Sequence, residues 1–489
     1  MDTSMGQPGT AEPHQIRVNF TTTSPDLQLP EGRTQLLVPA DIKRYGLSRV
    51  LNSESMLDTT SPIPFDFLVN GSFLRTSLED YLKANGLSSE STITLQYVRS
   101  LIPPVYQASF EHDDWVRDID VLSASSRAGI WSGDHFTTGQ ERILSASDDG
   151  ILRIWDGSGN AIATSSPTGL HGHANSIKAA KFLSSSQIAS SGQDATIRIW
   201  KYAEANDHLS GTFKQTLQLC GHKTAVNTLD VHGPTGRILS TSVDGNVGLW
   251  TTSKSSAPAV QAPEADQPSS KKAKLSSSVS QRGPLSLTRP HNLPASAAVF
   301  DPADSTIAYT SSLDHTIRTL DLTTSKVENV ITTSHPLFSL CALRRNGNSL
   351  LLAAGNSARH VTLVDPRASA ALTSVMTLRG HRNIVSGLAP CPDNDHSLVS
   401  ASYDGTCRIW DLRSVRPATR AEGGGSVCES VHTIQRESSI QKTGGASDVP
   451  GRGAKLFGVA WDAHWGIVSG GEDKVVQINR GRDLLAAAE

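Results

Sequence analysis

Ser145-Ala-Ser-Asp-Asp-Gly-Ile-Leu-Arg-Ile-Trp155 decides the fold of this chain, because it recurs. The same frame returns without gaps at Ser190–Trp200, Ser240–Trp250 and Ser400–Trp410, each with Ser ten residues before the Trp and Asp six before it. Three of these copies follow a Gly-His pair, ending at His173, His222 and His381, and the His-to-Trp separations are 27, 28 and 29 residues. Within a copy, Ile-Leu-Arg-Ile-Trp or Ile-Arg-Ile-Trp alternates as a half-buried strand does. Asp-Gly at 149–150, 244–245 and 404–405 lies between two strand runs and signals a hairpin turn.

Three weaker copies fit the frame and bring the number to seven. Thr310–Leu320 keeps Asp314 and an upstream His291 but carries Leu in place of Trp. His335–Val364 keeps the spacing and lacks both the loop Asp and the Trp, and Ser469–Asn479 keeps Asp473 without an upstream Gly-His. The copy ending at Trp155 has only the distant His112 to serve as its histidine. A four-stranded unit of about 40 residues cannot bury both of its faces alone. Setting such units radially covers each sheet with its neighbours and leaves short edges.

This pattern resembles the WD-repeat family, over roughly residues 100–482. The resemblance implies a mainly β, seven-bladed propeller. It also implies that each His-Ser-Asp-Trp set is a buried hydrogen-bond network: Asp orients His, His meets the Ser hydroxyl, and Ser meets the Trp indole N–H. The sets concerned are His173, Ser190, Asp194 and Trp200; His222, Ser240, Asp244 and Trp250; His381, Ser400, Asp404 and Trp410; and Ser145, Asp149 and Trp155. A hydrolytic triad is the competing reading of His, Ser and Asp. It fails because a catalytic set occurs once per active site and this set recurs. No catalytic residue and no cofactor is assigned. The arginine before each Trp (Arg153, Arg198, Arg408) alternates with Ile and reads as a solvated strand face rather than a nucleic-acid patch.

Closing the ring needs a strand from outside the last repeat, and Val105-Tyr-Gln-Ala-Ser-Phe110, after the Pro103-Pro104 break, is expected to supply it. Two stretches interrupt the array. Residues 252–288 are rich in Ser, Ala and Pro and are expected to be disordered; they contain Lys271, Lys272 and Lys274, a weak nuclear-targeting cluster. Residues 413–452 are Gly-rich and read as a long disordered insertion, with an outer strand possible at Val431–Ile434.

Residues 15–98 have another rhythm, following a polar 1–14 expected to be disordered and preceding the propeller at 99–489. Ile16, Val18 and Phe20 alternate in a first strand, and Thr34–Val38 reads as a second. Asp41–Leu51 has helical spacing, Phe65–Val69 is a strand, and Asn70-Gly71 is a hairpin turn. Ser77 with Asp80 caps a helix over Leu78–Asn85 that Gly86 stops. Thr92–Val98 is the last strand, with Ile93, Leu95 and Tyr97 facing inward. The order ββαββαβ is that of a ubiquitin-like α+β fold, here continuing into the propeller and so expected to dock a partner rather than to be conjugated.

Composition narrows the function. The formal net charge is −3, which provides no global attraction to nucleic acid or an acidic membrane, although direct RNA contact through a local patch stays open. Five cysteines with no CxxC pair argue against a disulfide framework or a cysteine zinc site. No stretch approaches the ~20 apolar residues of a membrane span.

Pro64-Phe-Asp-Phe-Leu-Val-Asn-Gly71, Leu74-Arg-Thr-Ser-Leu78, Gly86-Leu-Ser-Ser-Glu90 and Phe110-Glu-His-Asp-Asp-Trp-Val116 resemble the WD-repeat subunit family of the PeBoW ribosome-biogenesis complex over nearly the whole chain. That resemblance implies a nucleolar and nucleoplasmic factor of pre-60S particles, needed for pre-rRNA processing. Its implied partners are the block-of-proliferation protein, Pescadillo and the AAA ATPase midasin. It further implies that Glu90, with Ser88 beside it, completes a Mg²⁺ site held by midasin, since a hard cation with an open position takes a carboxylate oxygen. No P-loop occurs in the chain, so ATP hydrolysis belongs to the partner. Two alternatives stand beside this one: a Notchless-like midasin adaptor, whose propeller carries an extra blade, and a WD-repeat substrate receptor of a ubiquitin ligase.

Overall fold

The computed structural model describes residues 15–481 apart from 31, 60, 89, 138, 167–171, 206, 261–278, 346–348, 368–374, 423–424 and 443–453. The expected disorder of 1–14, and Lys271, Lys272 and Lys274, lie outside the described residues. The chain divides into two compact units. The first runs to Ile102 and also holds Arg413–Arg416; the second holds the rest from Pro103 onward.

The first unit has strands β1 (Gln15–Thr21) and β2 (Gln35–Pro39), helix α1 (Arg44–Leu51), strands β3 (Phe65–Val69) and β4 (Ser72–Phe73), helix α2 (Leu78–Asn85) and strand β5 (Ile93–Arg99). The sheet order is β2-β1-β5-β3-β4, and β1 runs parallel to β5, with Val18 opposite Ile93. This is the ubiquitin-like arrangement. Period-two alternation sends Ile16, Val18 and Phe20 to one face, where they meet Leu47 and Leu51 of α1 and Phe65, Phe67, Leu95 and Tyr97 of the sheet. Each buried Phe contributes roughly 2–3 kcal/mol. The Tyr97 hydroxyl donates to the Leu27 carbonyl, satisfying the one polar atom that ring brings inside. Helix α1 begins three residues later than its apolar spacing predicts, because Ile42 N–H closes a turn on the Pro39 carbonyl. Tyr45, which falls within that helical spacing, is 75% exposed.

The second unit is a propeller of seven blades. Blade 1 comprises Val116–Leu122, Arg142–Ser147, Leu152–Trp155 and Ala161–Thr164; blade 2 has Ile177–Ser184, Gln187–Gly192, Thr196–Glu204 and Gly211–Cys220. Blades 3, 4, 5 and 6 start at Val226, Ala295, Leu337 and Val385 and repeat the antiparallel meander. Blade 7 comprises Leu456–Asp462, Gly466–Gly471 and Val475–Arg480, and its fourth strand is Val105–Glu111, with Val476 opposite Phe110. The ring therefore closes by pairing the start of the unit with its end. Phe110 stacks on Trp155 of blade 1 at 5.4 Å and packs with Val468, Val476 and Ile478, so the seam is sealed by hydrogen bonds and by an apolar layer. The seven-bladed architecture carries more strand than its repeats alone predict.

Two expectations of disorder are corrected here. Within 252–288, Ser280–Arg282 adds a parallel fifth strand to blade 2 and Ser286–Thr288 is the outer strand of blade 3. Within 413–452, Ser426–Gln435 is a ten-residue strand followed by the helix Glu437–Lys442, and it spans the possible strand read at Val431–Ile434. That strand pairs antiparallel with blade 6 and, through Thr377–Val427, parallel with blade 5. Outer strands need little apolar content, because only one face meets a neighbour. The Ser-, Ala-, Pro- and Gly-rich stretches around them therefore hid them.

Candidate partner-docking sites and the blade networks

Helix α2 places the first candidate. The Ser77 hydroxyl accepts from Asp80 N–H at 3.2 Å and donates to the Asp80 carboxylate at 2.7 Å, fixing the helix start. Gly86, at φ +64°, ends it. A left-handed turn of this kind needs a residue without Cβ. The chain then makes a tight turn in which Ser91 N–H and Oγ both donate to the Ser88 carbonyl, at 3.2 and 2.6 Å, and Glu90 N–H donates to Ser88 Oγ at 3.3 Å. Ser88 thus shapes the loop that carries Glu90. Glu90 is exposed, and its carboxylate has no hydrogen-bond or ion-pair partner among the described residues. No group of three or more His, Cys, Asp or Glu among the described residues is placed to hold a metal. A lone carboxylate supplies one or two oxygens and makes no cation site by itself.

The blade networks form unevenly. In blade 2, His173 Nδ1 lies 3.0 Å from Asp194 and Nε2 lies 2.8 Å from Ser190 Oγ, which accepts the Trp200 indole N–H at 2.7 Å. Blade 6 repeats this with His381, Asp404 at 2.9 Å, Ser400 at 2.6 Å and Trp410 at 2.7 Å. Burial holds both imidazoles below the ordinary histidine pKa, against the pull of their carboxylates. Blade 4 builds the same set from His291, Thr310 and Asp314 around Leu320.

Asp244 and Asp149 do not join their histidines. His222 and Trp250 meet on Ser240 at 2.7 and 2.8 Å, but the Asp244 carboxylate takes Asn246 N–H and the Asn246 side-chain amide, at 3.0 and 2.7 Å. Blades 2, 4 and 6 have Thr where Asn246 stands, and its hydroxyl occupies only one carboxylate oxygen. In blade 1, Ser145 joins His112 at 2.7 Å to Trp155 at 2.8 Å, so the distant histidine is the working one. Asp149 is held instead by Arg153 at 2.6 Å. Among the described residues, His112 Nδ1 and His222 Nδ1 are buried without a hydrogen-bond partner.

The repeated arginines are not a solvated face. Arg153 and Arg198 are each 8% exposed; Arg153 pairs with Asp149 and Asp113, and Arg198 donates to Gln215. Arg408 donates to Ser430 on the outer strand of its own blade. Alternation was read correctly, but both faces of a blade are covered in a ring, so an alternating polar residue is buried too. In blade 7 the place of histidine is taken by Arg436, which binds Asp473 and Ser469. It stands 37 residues before Asp473, against 21 to 23 for His173, His291 and His381, so spacing gave no signal for it.

The NLE (NUC135) domain family matches residues 16–82, and the WD domain, G-beta repeat family matches 105–156, 164–201, 211–251 and 372–411. The ribosome biogenesis protein YTM1 of Chaetomium globosum is 65% identical over 478 residues, covering 96% of this chain and 98% of that protein. This chain belongs to the YTM1 family of ribosome biogenesis proteins. Its relative in Neurospora crassa is 63% identical, with 96% and 98% covered, and that in Aspergillus clavatus 51%, with 98% and 97% covered. The likeness to the WD40 β propeller domain of Doa1 (TM-score 0.51, 17% identity, 78% of this chain and 98% of that one) is one of fold alone. The YTM1 family is the PeBoW WD-repeat subunit family that the sequence motifs resemble. Its role is ribosome assembly.

Proposed function

We propose that this protein is a non-enzymatic adaptor in assembly of the 60S subunit, acting in the nucleolus and nucleoplasm and needed for pre-rRNA processing. The propeller holds the block-of-proliferation protein and, with Pescadillo, forms a PeBoW-type complex on the pre-60S particle. The ubiquitin-like domain offers Glu90 to a Mg²⁺ held by midasin, and the ATPase then removes the complex. The observation that carries this reading is an exposed carboxylate without a partner among the described residues, set on a serine-stapled turn at the end of a capped helix. The hydrogen-bonded turn limits the backbone entropy lost on binding, and ordering the Glu90 side chain itself costs about 0.5–1.5 kcal/mol.

Affinity purification of the tagged protein from nuclear extract, beside Glu90→Ala and Glu90→Asp, tests it. Pescadillo, the block-of-proliferation protein and large-subunit precursors are expected with all three. Midasin is expected with the wild type alone, because a shortened or missing carboxylate cannot reach the ion. Midasin recovered equally with Glu90→Ala rejects the metal-ligand role. Ubiquitin-ligase subunits recovered in place of pre-ribosomes reject the assembly role.

A further inference from the structure

The fifth blade keeps the repeat frame but has lost the network that fills it. Ala354 and Val364 stand ten residues apart, where Ser190 and Trp200 stand in blade 2, and Ala358 holds the place of Asp194. Ala354 lies opposite Thr362 as Ser190 lies opposite Arg198, so the register is unchanged. The turn keeps its left-handed residue, Arg359 at φ +70° beside +59° for Ala195. At those three positions no hydroxyl, carboxylate or indole is left for a histidine to join. Yet His335 precedes Val364 by 29 residues, as His381 precedes Trp410. A second histidine, His360, stands where blades 2, 4 and 6 have Thr196, Thr316 and Thr406.

The two imidazoles meet each other instead. Their ring centroids lie 5.8 Å apart at 84°. His335 is exposed and His360 half-buried, so the pair opens to solvent. His360 Nδ1 lies 2.9 Å from the Ala358 carbonyl, and a carbonyl only accepts, so Nδ1 carries a proton. Burial, with Arg379 and His335 nearby, holds this imidazole below the ordinary histidine pKa, so at neutral pH its Nε2 keeps a lone pair. Among the described residues no hydrogen bond reaches His360 Nε2 or either ring nitrogen of His335.

A metal-ligating histidine has this form: one ring nitrogen donates to a backbone carbonyl and fixes the tautomer, and the other offers its lone pair. Zn–N bonds of about 2.0–2.1 Å around a tetrahedral ion place two imidazole rings roughly 5–6 Å apart, the separation seen here. Neutral imidazole suits zinc, copper and nickel, whereas magnesium and calcium take oxygen. An anion would need protonated rings, which burial of His360 opposes. Arg379, opposite His360 on the adjacent strand, repels any cation, so coordination rather than charge carries the binding.

We propose that His335 and His360 form a two-ligand site for a borderline divalent transition-metal ion, zinc being the type, at the turn of blade 5. Two protein ligands leave the remaining positions to water or to a donor from another molecule. The site is separate from the Glu90 turn and does not rest on the assembly reading.

Isothermal titration of the full-length, tag-free protein with zinc chloride, and electron paramagnetic resonance of its copper(II) form, test it. The chain has 16 histidines, so variants locate the ion. Loss of a partner that orients a ligand costs about 10–100-fold in metal affinity, and loss of a ligand no less. His335→Ala and His360→Ala should therefore each weaken one zinc equivalent about tenfold or more, with an unchanged melting curve. His135→Ala, which removes an exposed histidine of blade 1, should leave that equivalent as it is. The first equivalent of copper should couple to two imidazole nitrogens in the wild type and to one in His335→Ala. Should His360→Ala unfold, His335→Ala decides the question, because that side chain is exposed and its ring bonds to nothing described. Equal zinc affinity in His335→Ala, a copper signal with fewer than two imidazole nitrogens, or binding of magnesium as tight as that of zinc overturns the proposal.

Discussion

Arg436 and Asp473 form a two-pronged ion pair, Nε to Oδ2 at 2.9 Å and Nη2 to Oδ1 at 2.8 Å, at the position where a histidine and an aspartate meet in blades 2, 4 and 6. Arg436 is 1% exposed, and its Nη1 also donates to Ser469 Oγ at 2.9 Å. It directly follows the strand shared by blades 5 and 6, so one segment, 426–436, ties three successive blades.

Removing one partner of a buried pair strands the other charge. Arg436→Met should therefore cost about 3–5 kcal/mol, read as a lower denaturation midpoint. Arg436→Met combined with Asp473→Leu should cost less than the single change, because no charge is left alone. An additive double variant would show that the pair is not coupled.

Asn246 accounts for the idle Asp244. Asn246→Thr restores the arrangement of blades 2, 4 and 6 and frees one carboxylate oxygen for His222 Nδ1, a buried donor that now has no partner. Stability should rise by about 1 kcal/mol, and the His222 pKa, followed by NMR titration, should move up from about 4. An unmoved His222 titration would show that Asp244 stays turned away.

Burial pushes His112 and His222 from 6.5 down to about 4. The unfolded chain then binds more protons than the folded one between these values, so stability is full above pH 6.5 and is lost as pH falls toward 4. Each group is worth on the order of 3 kcal/mol across the window. Melting temperature measured through this range should fall steeply, and His222→Gln should flatten the slope.

The hairpin turn after the blade aspartate takes positive φ in every copy. Gly150, Gly245 and Gly405 suit it, at φ near +80°, whereas Ala195 and His315 hold +59° and +67°. Ala195→Gly should stabilise blade 2 by up to about 1 kcal/mol, since a Cβ in this region is strained. A lower melting temperature in the variant would show that loss of backbone entropy in the unfolded chain outweighs that strain.

By itself the sequence determined the propeller, because a repeat encodes its blade locally: the strand alternation, the Asp turn and the Trp all lie within eleven residues. It also determined the ubiquitin-like strand order and the closing strand before Phe110, through alternation and helix punctuation. Tertiary structure alone decided which carboxylate serves which histidine. That choice turns on competition for oxygens by Asn246 and Arg153, a matter of side-chain identity rather than of spacing. It also decided that Arg436 replaces a histidine, that outer strands form within the interrupting stretches, and that Arg153 and Arg198 are buried, since each depends on what the neighbouring strands and blades place opposite.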